Sequence, residues 1–324
     1  MRPNWIGPGW TSPHWTRQER VRFQIVLVLA ALDAVLLAAS PMRLAYASLL
    51  VPLATACVLT GLGAGYRQRR EEGLAATLIG TAQLIAFTAA AASLNYLLVP
   101  LDRPLYDAVF HGFDRALGIH WPSLFAALKV HTHLGALLSV AYMSSLLQVA
   151  LMVPLLGLLR RTGDLDLFLL AFMGAALAAI GFWAVFPSFG AGPHLYATGE
   201  MTSFPGAMLG EDYARTMLAL KAGQIRDFSL SQAEGLIGFP SFHTVMAVLT
   251  VHAVRGVRRV FWPALAWNAL VMVSIPVEGA HNVCDVIAGI VLAVAAIALA
   301  GRVLEADCRA VGQGAHRPAV PQAA

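Results

Sequence analysis

The stretch Leu165–Phe186 reads LDLFLLAFMGAALAAIGFWAVF, with Asp166 its one charged residue. A bilayer's hydrocarbon core is about 30 Å thick, and a helix rising about 1.5 Å per residue crosses it with roughly 20 apolar residues. This stretch meets that requirement. Comparable runs lie on either side of it, at about Val21–Ser40, Leu44–Tyr66, Leu74–Pro100, Leu134–Leu159, Ser241–Val254, Val260–Val277 and Ala280–Ala300. Together they predict an all-α protein, a polytopic transmembrane helical bundle of about eight spans. The sixth and seventh runs are short, and a six-span reading that merges the first two is the rival.

The whole composition agrees. Of 324 residues, 58% are hydrophobic and 12% charged, and the mean hydropathy is +0.67. A soluble domain carries about twice that share of charge. The formal net charge of +4 does not imply a nucleic-acid partner, because the basic residues fall in short loops between apolar runs and form no single patch. Cys57, Cys284 and Cys308 read as unpaired thiols. The first 20 residues are polar and rich in Trp and Pro, so the first helix is expected to act as an uncleaved signal anchor.

Basic residues orient the bundle. With the N-terminus cytoplasmic, fifteen of the twenty-two Lys and Arg residues fall inside, among them Arg17, Arg22, Arg67, Arg160, Arg161, Arg255, Arg258 and Arg259. The other seven, Arg43, Arg103, Arg115, Lys129, Arg215, Lys221 and Arg226, fall outside. They lie mostly in two long connections, Leu101–His133 and Pro187–Pro240. Within the first of these, Phe110, Phe113, Leu117 and Trp121 are at helical spacing, which predicts a short amphipathic helix at the membrane interface.

Ionisable side chains at membrane depth are costly and tend to be functional. Gly238-Phe239-Pro240-Ser241-Phe242-His243-Thr244 opens the sixth run. Pro240 suits a first helical turn, and a helix N-terminus offers free N–H groups to an anion. Ser241 and His243 sit in that turn. Glu278-Gly279-Ala280-His281-Asn282-Val283-Cys284-Asp285 opens the eighth run. His281 and Asp285 are four apart, so the carboxylate can fix the tautomer of the imidazole and leave its other nitrogen free to attack or to transfer a proton. Both elements come at outer helix ends in the expected topology. Two histidines and an orienting Asp beside a helix N-terminus suit phosphate.

Pro240-Ser241-x-His243 followed by His281-x-x-x-Asp285 resembles the two most diagnostic motifs of the type-2 phosphatidic-acid phosphatase superfamily. The resemblance covers about the last 215 residues, including the Leu-x-Asp-x-x-Leu-Gly-like stretch around Phe113–Trp121 and Phe186-Pro187 through Gly192-Pro193. It implies a six-helix core with added N-terminal helices and a metal-independent mechanism without a cofactor. His281 would attack phosphorus to give a phosphohistidine, Asp285 would orient it, and His243 would protonate the leaving oxygen. The expected segments are a cytoplasmic N-terminal part (1–20), N-terminal transmembrane helices (21–100), a phosphatase or phosphotransferase core (101–302) and a cytoplasmic tail (303–324). The expected partners are the bilayer and a lipid phosphate or phospholipid. The expected setting is a bacterial inner membrane, with the site facing the periplasm or exterior.

Departures from the family pattern shape this expectation. Phe242 stands where Gly is common before the motif His. Ser274-Ile275 stands where a Ser-Arg pair is common, and Tyr96 stands where a Lys is common seven residues before Arg103-Pro104. These features are similar to the branch containing inositol phosphorylceramide synthases, which implies transfer to an alcohol such as inositol. Arg226, Lys221 and Arg115 are then the candidate phosphate-binding cations, with Ser241 beside them. Two His and one Asp could also suit zinc, but no His-Glu-x-x-His pairing exists and no metal is expected.

Other polar residues carry competing readings. Asp33, in the first run, is a proton relay, a substrate contact or a hydrogen bond to a neighbouring helix. Gly61 to Gly65 resembles a small-xxx-small helix contact. His131, His133 and His194 read as surface or interface histidines, with His194 a possible lining of the site. Glu278 tunes His281 or faces headgroups. A transporter or lipid-flipping protein, and a catalytically inactive scaffold, are the alternatives to an enzyme.

Overall fold

The computed structural model describes residues 15–99, 103–201 and 210–315. In chain order the elements are α1 (Arg17–Ala39), β1 (Arg43–Leu44), α2 (Ala47–Gln68), α3 (Glu72–Leu97), α4 (Asp107–Ala116), α5 (Trp121–Val130), α6 (Thr132–Leu158), α7 (Thr162–Val185), α8 (Ala191–Thr198), α9 (Glu211–Lys221), β2 (Asp227–Phe228), a 3₁₀ turn (Leu230–Gln232), α10 (Phe242–Ala253), α11 (Arg258–Glu278) and α12 (Val283–Ala315). Among the described residues, seven helices are long and apolar enough to cross a membrane: α1, α2, α3, α6, α7, α11 and α12. The protein is an integral membrane protein. All eight apolar runs of the sequence become helices. The first two are separate, which removes the six-span reading.

The eighth of these helices, α10, is the exception in length. Its 12 residues amount to about 18 Å, short of a hydrocarbon core of about 30 Å. Its start is also sunk into the bundle. A Cβ added at Gly289, the seventh residue of α12, would come within 2.6 Å of the Ser241 carbonyl. The first turn of α10 therefore packs against the second turn of α12.

Burial explains the arrangement. α3 and α7 are the most enclosed long helices, and α1 and α2 the least. α1 and α2 both pack on α3, whereas α10 is ringed by α6, α7, α11 and α12. Phe87, Leu156, Leu169, Met173 and Val245 belong to the central apolar core. The expected small-residue contact falls on Gly63. A Cβ there would meet Ile79 of α3 at 2.6 Å, whereas Gly61 and Gly65 face open space.

One end of the bundle carries an ion-pair layer. Thr16 and Glu19 form a capping box at the start of α1. Glu19 also accepts from Arg67 of α2, the Nη2–Oε1 distance being 2.7 Å. Arg22 donates to Gln83 of α3 (2.7 Å) and to Asp166 of α7 (2.5 Å). Asp164 takes Arg161 at 2.6 Å and Arg255, just past α10, at 3.0 Å. Four of these arginines were grouped on one side by charge bias, and here they share one layer with their carboxylates.

Candidate active site

Three loops meet above α10. In the first, Gly190 has φ +96° and Gly192 follows it. In the second, Gly238 donates its N–H to the Ser188 carbonyl at 2.7 Å. In the third, Ala280 has φ +50°, an uncommon left-handed backbone for a residue with a Cβ. That turn aims the Ala280 carbonyl at the first loop, where it accepts from Gly192 N–H at 3.3 Å. A Cβ at Gly190 would lie 2.6 Å from the same carbonyl. Only glycine fits so close an approach at that backbone angle.

Ser241 caps α10. It is fully buried, its extended backbone precedes the helix, and its Oγ accepts from Thr244 N–H at 3.5 Å. Pro240 therefore lies outside the helix, not in its first turn: Ser241 is the better stop because a side-chain oxygen satisfies an orphan N–H. His243 is the second helical residue. Its ring stacks on Tyr142 of α6 (centroids 4.1 Å apart, planes 22° apart) and lies 6.4 Å from the His281 ring. Thr244 N–H is taken up by the Ser241 cap, and the helix start beside His243 carries the partial positive charge of a helix N-terminus.

His281 precedes α12, and does not sit on a helix face as its spacing to Asp285 implied. Asp285 is in the first turn of α12, and Asn282 N–H donates to its Oδ2 at 2.8 Å. The turn thus folds back so that His281 Nδ1 is 3.3 Å from Asp285 Oδ2 and 2.8 Å from the Gly238 carbonyl oxygen. A carbonyl oxygen only accepts, so Nδ1 carries the proton and Nε2 of the neutral ring presents a lone pair. Asp285 is fully buried and its own carbonyl accepts from Ser241 N–H at 3.0 Å. The two motif elements are thus bonded directly to each other.

Two further carboxylates, given no role by the sequence pattern, hold the frame. Asp107 of α4, 2% exposed, accepts from Ser188 Oγ (2.6 Å), Gly190 N–H (2.8 Å) and Phe189 N–H (3.3 Å). Asp114 accepts from Val283 N–H at 3.0 Å and from Trp121 Nε1 at 3.1 Å. One helix thereby ties down both the first loop and the start of α12. Burial pushes both carboxyls up to about 6. Their hydrogen bonds pull the other way, and the nearby charge of Asp285 pushes up again. The available signal was spacing: seven residues is two helical turns, so both acids share the inward face. Val109 and Phe113 are exposed on α4 and Leu117 just past its end, and Phe110 stacks on Phe239 with centroids 4.3 Å apart.

The family model for the PAP2 superfamily matches residues 108–299, more than half of the chain. The chain belongs to the PAP2 superfamily. No curated protein and no solved structure matches it. Membership of the PAP2 superfamily supports a phosphatase-like enzyme, and the matched segment contains every side chain of the loop junction except Asp107.

The remaining candidates fall elsewhere. Arg115 is exposed on α4, Lys221 ends α9, and Arg226 is exposed before β2 with its Nε donating to the Gly223 carbonyl at 3.1 Å. None of the three bonds to His243, His281 or Asp285 among the described residues. Where the PAP2 pattern commonly has Lys, Tyr96 instead accepts from Glu234 N–H (2.9 Å) and stacks on Phe228. Ser274 and Ile275 are fully buried. Glu278 is fully buried and accepts from Ser139 Oγ at 2.8 Å, so it does not face headgroups. Asp33 is half-buried, and its Oδ1 has no hydrogen-bond partner among the described residues. Cys57 is exposed, and Cys284 is half-buried beside Asp285. His131 and His133 are exposed. His194 packs beside His111.

Proposed function

We propose that the protein is a lipid-phosphate phosphatase or phosphotransferase that works through a phosphohistidine on His281. The observation that carries this reading is the tautomer. Nδ1–H is spent on the Gly238 carbonyl and Asp285, so Nε2 is the free nucleophile, with His243 one ring away. In the first step Nε2 forms a bond to phosphorus while the bond from phosphorus to the lipid oxygen breaks. His243 gives its proton to the departing oxygen. In the second step water or an alcohol attacks phosphorus, His243 takes its proton, and the phosphorus–nitrogen bond breaks. Asp285 steadies the positive ring of the intermediate. The start of α10, with Ser241 shaping its cap, stabilises the phosphoryl oxygens.

Phe242, Tyr96 and Ile275 stand where the family commonly has Gly, Lys and Arg. They favour the alcohol-transferring branch, with inositol as one acceptor. Arg115, Lys221 and Arg226 are the candidate outer-side cations. On this reading both termini are cytoplasmic, the site faces the exterior, the chemistry needs no metal, and the substrate is a membrane lipid.

The test uses detergent-purified protein in metal chelator, given phosphatidic acid and other phospholipids with and without inositol. Free phosphate that depends on His281 and His243 establishes hydrolysis. A new phosphodiester with little free phosphate establishes transfer. Full turnover in His281→Ala would falsify the mechanism, and no acid-labile phosphoenzyme with any lipid would favour a scaffold.

A further inference from the structure

A second cluster of ligating side chains lies between α4 and α8. α8 ends at Gly199, whose φ of +75° turns the chain back. Gly199 N–H bonds the Tyr196 carbonyl at 3.2 Å and Met201 N–H bonds the Leu195 carbonyl at 3.1 Å, which folds Glu200 over the end of α8 beside His194. Thr198 Oγ1 donates to Glu200 Oε1 at 3.4 Å and leaves Oε2 toward α4. There it lies 3.9 Å from His111 Nε2. The His111 and His194 rings are 5.1 Å apart. One ligand atom from each of His111, His194 and Glu200 lies within 4.8 Å of the other two. His111 is 5% exposed, and its Nδ1 is buried without a hydrogen-bond partner among the described residues.

We propose that His111, His194 and Glu200 bind one divalent transition-metal cation of the zinc type. Two imidazoles and a carboxylate are a donor set that zinc takes, with water in the fourth position. Mg²⁺ and Ca²⁺ prefer oxygen ligands throughout and match it poorly. Bonds of about 2.0–2.1 Å in a tetrahedron put donor atoms about 3.4 Å apart. The cluster must contract by roughly an ångström to reach that geometry. Glu200, exposed and on a turn, is the side chain free to move. The Arg115 guanidinium, one turn beyond His111, opposes the cation, so the site is weaker than a closed structural zinc site. Its role is to pin α4 to α8. It does not depend on the phosphohistidine reading, because none of its ligands belongs to the His243–His281–Asp285 group.

The test uses the full chain in detergent, stripped with chelator and titrated with Co²⁺ and then Zn²⁺. The expected result is one equivalent of Co²⁺ with the intense visible bands of a tetrahedral ion, displaced by Zn²⁺, and a zinc-dependent rise in Tm. His194→Ala and Glu200→Gln should each weaken binding at least ten-fold, and His243→Ala should leave it intact. Glu200→Gln changes an exposed side chain, so that variant reports on binding even if His194→Ala fails to fold. Binding undiminished in Glu200→Gln, binding lost in His243→Ala, or no saturable uptake by the wild type would each overturn the site.

Discussion

The two ends of the bundle bury carboxylates in opposite ways. At one end Glu19, Asp164 and Asp166 meet guanidinium groups from other helices or loops, and the charge is cancelled where it stands. At the other end Asp107 and Asp114 meet backbone N–H groups, a hydroxyl and an indole, and Asp285 meets an imidazole, with no arginine or lysine bonded to any of the three among the described residues. The first end is a clasp between helices. The second is a frame for loops: its acids fix backbone turns and leave the two histidine rings poised. Removing one partner at the clasp strands a buried charge, whereas removing one at the frame releases a loop.

Breaking the frame at its chemical centre should have the largest effect. His281→Ala is expected to lower turnover by on the order of 10⁴-fold or more, measured by initial rates on the responsive lipid. Next comes the clasp. Arg67→Ala strands Glu19 and should cost about 3–5 kcal/mol of stability, read from denaturation in detergent, while the activity per folded molecule stays near wild type. Equal losses of stability and specific activity would erase the distinction between the ends.

Asp107→Ala should be milder in stability, at about 1–3 kcal/mol for the N–H groups it orphans. It should still lower turnover, because the Gly190 loop that backs Ala280 comes loose. The frame also predicts a pH effect. Asp107 and Asp114 stand near 6 in the fold, against about 3.9 in an unfolded chain. The folded state thus holds extra protons between those values, so stability falls as pH rises through that window and is greater at pH 5 than at pH 7. Tm scans at the two pH values should show the difference, and Asp107→Asn should shrink it. Smallest of all is Arg160, exposed and 4.0 Å from Glu71. Arg160→Ala should change stability by no more than about 1 kcal/mol, which would show that burial, not charge count, makes the clasp.

The helices and the meeting of the three motif side chains were legible because their signals are local. Apolar runs announce spans whatever they pack against, and Ser241-x-His243 and His281-x-x-x-Asp285 each fall within five residues. The frame was not legible. Asp107 acts on Ser188 and Gly190 some eighty positions away, and backbone N–H groups leave no mark in a sequence. The amphipathic helix was read from its apolar side, so its inward acids went unremarked. Pro240 and His281 were misplaced by a few residues for a related reason: where a helix starts depends on which side chain caps it.

The shortness of α10 sets a depth gauge. With His243 at its top and Arg255 anchored just past its bottom, the mechanism proposed above requires the substrate phosphorus to descend below the headgroup plane of a bilayer of ordinary thickness. Thinner membranes would bring headgroups down to the histidines, and thicker ones would lift them away. Reconstituted turnover should then fall as acyl chains lengthen, with the membrane itself acting as a selector of which lipids can reach the nucleophile.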